Sequence, residues 1–238
     1  MTSTTLTNSP VLGWLLGYEA KRKQLLKKAP VGALRDFLLV PLPNIDTPID
    51  KVEILAVDFE TTGLDAKQDK LLSVGFITLR KQQISLKTSY HQIIKTQAQL
   101  EESNVIIHHI TDGQKEQGQA LATVVETLLQ ALAGKVMLVH FARIEKQFLT
   151  EACLELYGIA PTFPMIDTLA LAKRHLDKRD VAYDPSELRL TNLRHKFKLP
   201  EHHAHNALND AIATAELFMV QMSKANKNGE VTLKDVLL

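Results

Sequence analysis

The chain has 238 residues, 45% hydrophobic and 23% charged, with 28 Lys and Arg against 27 Asp and Glu. This is the composition of a globular chain with room for one sizeable core and an extension, or for two small domains; its near-balance excludes nucleic-acid binding by bulk charge and leaves only local patches for that role. The single cysteine, Cys153, excludes an internal disulfide, and no apolar run reaches the ~18 residues of a membrane span.

In chain order, residues 1–10 are polar and lack the positive charge that opens a secretory signal, which points to a cytoplasmic protein. Helical spacing of Leu12, Leu15, Leu16, Glu19 and Lys23 predicts a helix over Val11–Lys28, stopped by Pro30. Its second half clusters Lys21, Arg22, Lys23, Lys27 and Lys28, either a phosphate-contacting patch or the wet face of an amphipathic helix. A short helix is expected over Val31–Leu39. PLPNIDTPID, residues 41–50, has three prolines and no periodicity, as a linker does. Residues 1–50 are therefore expected to form a helical N-terminal extension and linker, residues 51–225 the main domain and residues 226–238 a C-terminal tail.

Ile54 to Val57 form an apolar run of strand length. After the polar loop TTGLDAKQDK, Leu71–Leu79 reads as a second strand, in which Gly75 marks a close approach or bulge. Ile84–Ile94 alternates as its antiparallel hairpin partner. Further on come a helix over Gln119–Leu132 closed by Gly134, a buried strand over Val136–Val139 and a helix over Ala142–Tyr157. A brief strand over Phe163–Ile166 ends at Asp167-Thr168, and helical patterns cover Leu169–Leu176, Leu188–Phe197 and Asn206–Met222. The order βββαβαβα predicts an α/β fold: a mixed five-stranded sheet, antiparallel then parallel, flanked by helices.

Asp58 and Glu60 follow the first apolar run at positions i and i+2, so both project from one face of the strand's end. Like charges this close repel unless something cationic lies between them, and Mg²⁺ or Mn²⁺ prefers carboxylate oxygens. The alternative is two solvated acids. Glu145 lies three and four residues before Phe148 and Leu149, on the apolar stripe of its helix, where a lone acid is costly unless it is paired or bound to a metal. Asp210 lies early in the last helix, behind His202, His203 and His205. Residues five apart share no helix face, so His205 meets Asp210 only from outside the helix start. The three histidines also allow a zinc reading, but no Cys is near and their spacing forms no tetrahedral set.

Taken in order, AVDFETTGL (56–64), VHFARIEKQFL (139–149), MIDTLALAKR (165–174) and HAHNALND (203–210) resemble the motifs of the DEDDh 3′–5′ exonucleases. This is the group of the ribonuclease H-like fold that includes the proofreading epsilon subunit of bacterial DNA polymerase III. The likeness spans about residues 51–222, and IHHIT at 107–111 is similar to that family's short His-Gly-Ile-Thr segment. The resemblance implies two Mg²⁺ or Mn²⁺ ions per active site held by Asp58, Glu60, Glu145 and Asp210. In it Asp58 bridges the ions, Glu60 and Asp210 hold the one carrying the attacking water, and His205 is the general base. Thr61, Thr62, Gly63, Leu64 and His108 would bind the 3′-terminal nucleotide, and Asp167 would be structural. The chain departs from the family in having Glu145 for its Asp and Phe141 for its Asn.

The expected function is hydrolysis of phosphodiester bonds from the 3′ end of single-stranded DNA or RNA, releasing nucleoside 5′-monophosphates. Two alternatives stay open: a binding module with this fold that docks a polymerase or other partner, and an enzyme that trims RNA 3′ ends. Residues 1–50 are the expected partner surface, with no membrane role.

Overall fold

The computed structural model describes residues 10–96, 110, 112–180, 182–225 and 230–238. His108, His109 and Thr111 of the IHHIT segment lie outside the described residues. Strand β1 (Ile54–Thr61) is the middle of a five-stranded sheet ordered β3-β2-β1-β4-β5. It runs antiparallel to β2 (Leu71–Arg80) and parallel to β4 (Val136–Val139), and β4 runs parallel to β5 (Met165–Asp167). The mixed sheet predicted from the sequence is the sheet observed. Strands β1, β2 and β4 are buried nearly throughout because both sheet faces are covered. At the sheet edge, β3 (Gln83–Ile93) is largely exposed and polar. It joins β2 by a two-residue turn in which Lys81 and Gln82 both have φ near +50°, the backbone that matches strand twist in a hairpin.

Residue parity along β1 decides what each face packs against. Leu55, Val57 and Phe59 face one core with α2 (Ala33–Leu39), α4 (Leu121–Leu132) and α5 (Arg143–Tyr157). Ile54 and Ala56 face a second core with α8 (Ala207–Ala225). Between these elements lie α3 (Asp112–Glu116), α6 (Thr168–Asp177) and α7 (Leu190–Lys196), and α6 and α7 pack on α8. Each fully buried Leu or Ile on these faces contributes roughly 1.5–3 kcal/mol of transfer free energy.

Residues 25–49 and the last eight join these two cores. Helix α1 (Pro10–Leu26) meets α2, and Leu34, Phe37 and Leu38 of α2 are buried against α4. Ile45 and Ile49, in the proline-rich stretch, are buried with Leu233, Val236 and Leu237 of the C-terminal segment, which forms α9 (Leu233–Val236). Backbone bonds from Ile49 to Val231, Leu233 to Thr47 and Lys234 to Ile45 hold the two together, and Leu238 N–H donates to the Met165 carbonyl of β5. Arg22, expected in a basic patch, is buried: its guanidinium pairs with Glu19 and donates to the Leu38 carbonyl. Lys21, Lys23, Lys27 and Lys28 are exposed.

Candidate functional site

Asp58 and Glu60 share the parity of Ile54 and Ala56, so both point to the face that α8 covers. Helix α8 comes close there because of Gly75. That residue pairs with Asp58 across β2, and a Cβ on it would lie 2.2 Å from the Ala207 carbonyl carbon and the Leu208 nitrogen. A side chain at this position would push the helix start away from the sheet. Of the close approach or bulge expected at Gly75, the close approach is the contact that delivers Asp210. Carboxylate oxygens of Asp58, Glu60 and Asp210 all lie within 4.8 Å of one another.

Glu145 comes from the first turn of α5, after β4, and is buried as its place on the apolar stripe predicted. It stands outside the close triplet. Its charge nevertheless reaches Asp58: burial, then Glu145, Asp210 and Glu60 in that order, push the Asp58 carboxyl well above the usual carboxylate range. Burial, with smaller contributions from Asp167 and Glu60, raises Glu145 to about 8 against the bond from its own backbone N–H. Asp210 is raised by burial as well, opposed first by the hydrogen bond from His205 N–H.

The segment before α8 is locked from below. Arg194 of α7 is buried, donates to the carbonyls of Ala213 (2.7 Å) and Pro200 (2.9 Å), and pairs with Glu216 at 2.8 Å. Asn206 then caps α8, its Oδ1 accepting from Asn209 N–H at 3.1 Å. His205 sits just outside the helix with φ +65° and is exposed; its backbone N–H donates to Asp210 Oδ2 at 2.8 Å. The meeting of His205 and Asp210 from outside the helix start is made chiefly through this backbone bond, with a smaller charge interaction from the His205 ring. The ring next to Asp210 belongs to His202, whose Nε2 lies 2.9 Å from Asp210 Oδ1. Beyond the zinc reading, the sequence assigned His202 no role, because eight residues of separation carry no geometric signal across a loop.

The loop after β1 is knit by its own polar groups. Thr61 Oγ1 donates to the Gly63 carbonyl (2.7 Å), and Thr62 Oγ1 donates to Asp69 Oδ1 (3.0 Å) and accepts from Lys70 N–H. Gly63 packs against the Asp69 carboxylate with no space for a Cβ, and Leu64 stands 71% exposed. Asp167, buried at the end of β5, accepts backbone N–H groups from Phe141, Ala142, Leu169 and Ala170. It fastens the end of β4 to the start of α6. A cavity of about 630 Å³ opens elsewhere, between α6, α7 and α8, and shares no residue with the acid cluster.

Residues 55–218 match the family model described as Exonuclease. The chain belongs to the exonuclease family. It is 29% identical over 227 residues to the DNA polymerase III PolC-type protein of Thermotoga petrophila, covering 92% of this chain and 16% of that protein. It is also 29% identical over 182 residues to DNA polymerase III subunit epsilon of Treponema pallidum, covering 76% of this chain and 81% of that subunit. The chain thus spans only 16% of the length of the PolC-type relative and most of the epsilon subunit. Among solved structures it shares its fold with the nuclease domain of 3′hExo, a DEDDh family member bound to rAMP, at 17% identity and a TM-score of 0.60 over 76% of this chain and 95% of that one. The resemblance read from the four motifs, and the ribonuclease H-like fold that it implied, are borne out. No helix among the described residues is long and apolar enough to cross a membrane.

Proposed function

We propose that this exonuclease-family chain is a divalent-metal-dependent 3′–5′ exonuclease that removes nucleoside 5′-monophosphates from the 3′ ends of single-stranded DNA or RNA. The observation that carries the reading is the gathering of Asp58, Glu60 and Asp210 from β1 and α8 into one 4.8 Å cluster. The residues fit a cation. Glu145 Oε2 is buried without a hydrogen-bond partner, and Asp58, Glu145 and Asp210 each hold their protons too tightly for acids surrounded by water. Asp58, Glu60 and Asp210 would hold one ion, and Glu145 beside Asp58 would help to hold a second. Such ions neutralise charge on phosphate oxygens and make water more acidic.

The remaining work falls to the chain. Glu60 and Asp58 are fixed by the central strand of the sheet, and Asp210 by the helix contact at Gly75, so little reorganisation is left for the reaction. His205 takes the proton of the attacking water as its oxygen bonds to the terminal phosphorus. The bond from that phosphorus to the preceding 3′ oxygen breaks, and that oxygen takes a proton from solvent water, leaving a new 3′-hydroxyl and a free 5′-monophosphate. Leu64 and Gly63, with Thr61 and Thr62 shaping their loop, receive the terminal nucleotide; His108, outside the described residues, is assigned to the same role by its motif alone. Residues 1–50 offer exposed lysines for a polymerase or other partner.

The test is cleavage of 5′-labelled DNA and RNA oligomers of one sequence, with Mg²⁺ or EDTA, by wild type and Asp58→Asn. A ladder shortening from the 3′ end, present only in wild type with Mg²⁺, supports the reading. Equal cleavage by the variant would refute it.

A further inference from the structure

Phe141 stands at the end of β4 in a conformation that aromatic residues avoid. Its φ is +73°, in the left-handed region, where Cβ crowds the following carbonyl and glycine or asparagine is the usual occupant. Its neighbours hold it there. Phe141 N–H donates to Asp167 Oδ1 and Ala142 N–H to Asp167 Oδ2, both at 3.0 Å, while the Phe141 carbonyl accepts from Ile144 N–H at 3.3 Å. Despite that rigid backbone the residue is 42% exposed, a large apolar ring left in water.

Its position gives the ring a use. The parallel register of β1 and β4 pairs Ile54 with Val136, Leu55 with Met137 and Ala56 with Leu138. Continued by two residues, it sets His140 beside Asp58 and brings Phe141 to the rim just beyond the acid cluster. Glu145 follows four residues later in the first turn of α5. From the loop after the adjacent strand, Leu64 supplies a second exposed apolar side chain. The motif that this segment resembles has asparagine where Phe141 stands, a residue that would meet the backbone requirement without strain and without exposing a ring.

We infer that Phe141 is a stacking platform for a base of the nucleic-acid strand held at the acid cluster, an inference that rests on the exonuclease reading above. Every base presents a π-face, so such a platform binds single strands with little sequence preference. Because Asp167 has already fixed the backbone, binding orders little more than the ring torsion. Phe141 is a positioning residue: it touches the base and leaves the phosphate to the carboxylates.

The test compares steady-state cleavage of a single-stranded oligomer by wild type, Phe141→Ala, Phe141→Asn and Phe141→Trp. The same oligomer with an abasic 3′-terminal and penultimate sugar serves as the second substrate. Phe141→Ala and Phe141→Asn should raise KM for the normal strand about tenfold or more with kcat changed less than about threefold, and Phe141→Trp should restore KM. On the abasic strand all four proteins should agree. Phe141→Asn should melt no lower than wild type, because it relieves the backbone, so a weaker KM cannot come from a damaged fold. An unchanged KM in an active Phe141→Ala, or an equal rise on both substrates, would overturn the platform and leave the exonuclease reading standing. A wild-type protein that neither binds nor cleaves the strand would overturn both.

Discussion

His202 Nε2 lies 2.9 Å from Asp210 Oδ1, while the other oxygen of that carboxylate accepts the His205 backbone N–H at 2.8 Å. Asp210 is thus hydrogen-bonded through one oxygen to a short loop, itself anchored on Arg194, and faces the His202 ring with the other, without a hydrogen bond between them. Groups that orient a ligand carboxylate are typically worth 10–100-fold in metal affinity. His202→Ala should therefore raise the Mg²⁺ concentration for half-maximal cleavage by about tenfold, with the rate recovered at high Mg²⁺. Mg²⁺ titration of initial rates checks this; an unchanged midpoint would make His202 a bystander.

Gly75→Ala should disable the site from the other strand. The added Cβ would meet the α8 backbone rather than a side-chain tip, so the helix start must move. Overpacking of this kind costs about 1–3 kcal/mol. The displacement should also cost more than tenfold in rate, because Asp210 moves with the helix. Urea unfolding and single-turnover cleavage together separate the two effects.

How much of this was legible in the chain follows from the range of the forces involved. Strand parity put Asp58 and Glu60 together, helical spacing buried Glu145, and Gly75 marked a close approach; all three are local signals. Docking of α2 through Leu34, Phe37 and Leu38, and the pairing of residues 45–49 with the C-terminal segment, rest on contacts between distant parts of the chain. Periodicity carries no such information, and prolines read as a linker are also what a pinned, extended segment needs. His202 lay beyond reach for the same reason: its partner is set by how Arg194 holds the loop.

That docking changes what truncation should do. Removing residues 1–28 should leave a folded protein, because α1 meets chiefly α2. Removing residues 1–48 strips Leu34, Phe37 and Leu38 from the core with α4 and should give an aggregating or strongly destabilised protein. Size-exclusion chromatography and thermal melts of both truncations check this, and a soluble, cooperatively folding form of the shorter protein would contradict it.

Glu145 predicts a pH dependence of stability in EDTA. Its carboxyl is raised by burial to about 8, from an ordinary value of 4.5, so the folded state keeps a proton that the unfolded state gives up. For an acid with a raised folded pKa, stability is fully present below the unfolded value and falls as pH rises from about 4.5 to about 8. Glu145→Gln has no proton to lose. Its melting temperature relative to wild type should climb across that window and level off above it, while its cleavage rate falls with either cation. A difference independent of pH would show that Glu145 is not held protonated.

His205 as the base predicts a loss of rate without a loss of metal. Under saturating Mg²⁺, His205→Ala should cost on the order of 10²–10⁴ in single-turnover rate while Mn²⁺ affinity stays as in wild type. A variant that cleaves at the wild-type rate would remove His205 from the mechanism.

Asp58, Glu60 and Asp210 should bind a divalent cation whether or not nucleic acid is present. Calorimetric titration of Mn²⁺ into wild type and Asp58→Asn, both confirmed as folded by circular dichroism, tests it without reference to any substrate. Saturable binding in wild type that is abolished or weakened at least tenfold in Asp58→Asn is the predicted result. The same affinity and stoichiometry in both proteins, or no binding by wild type, would contradict it.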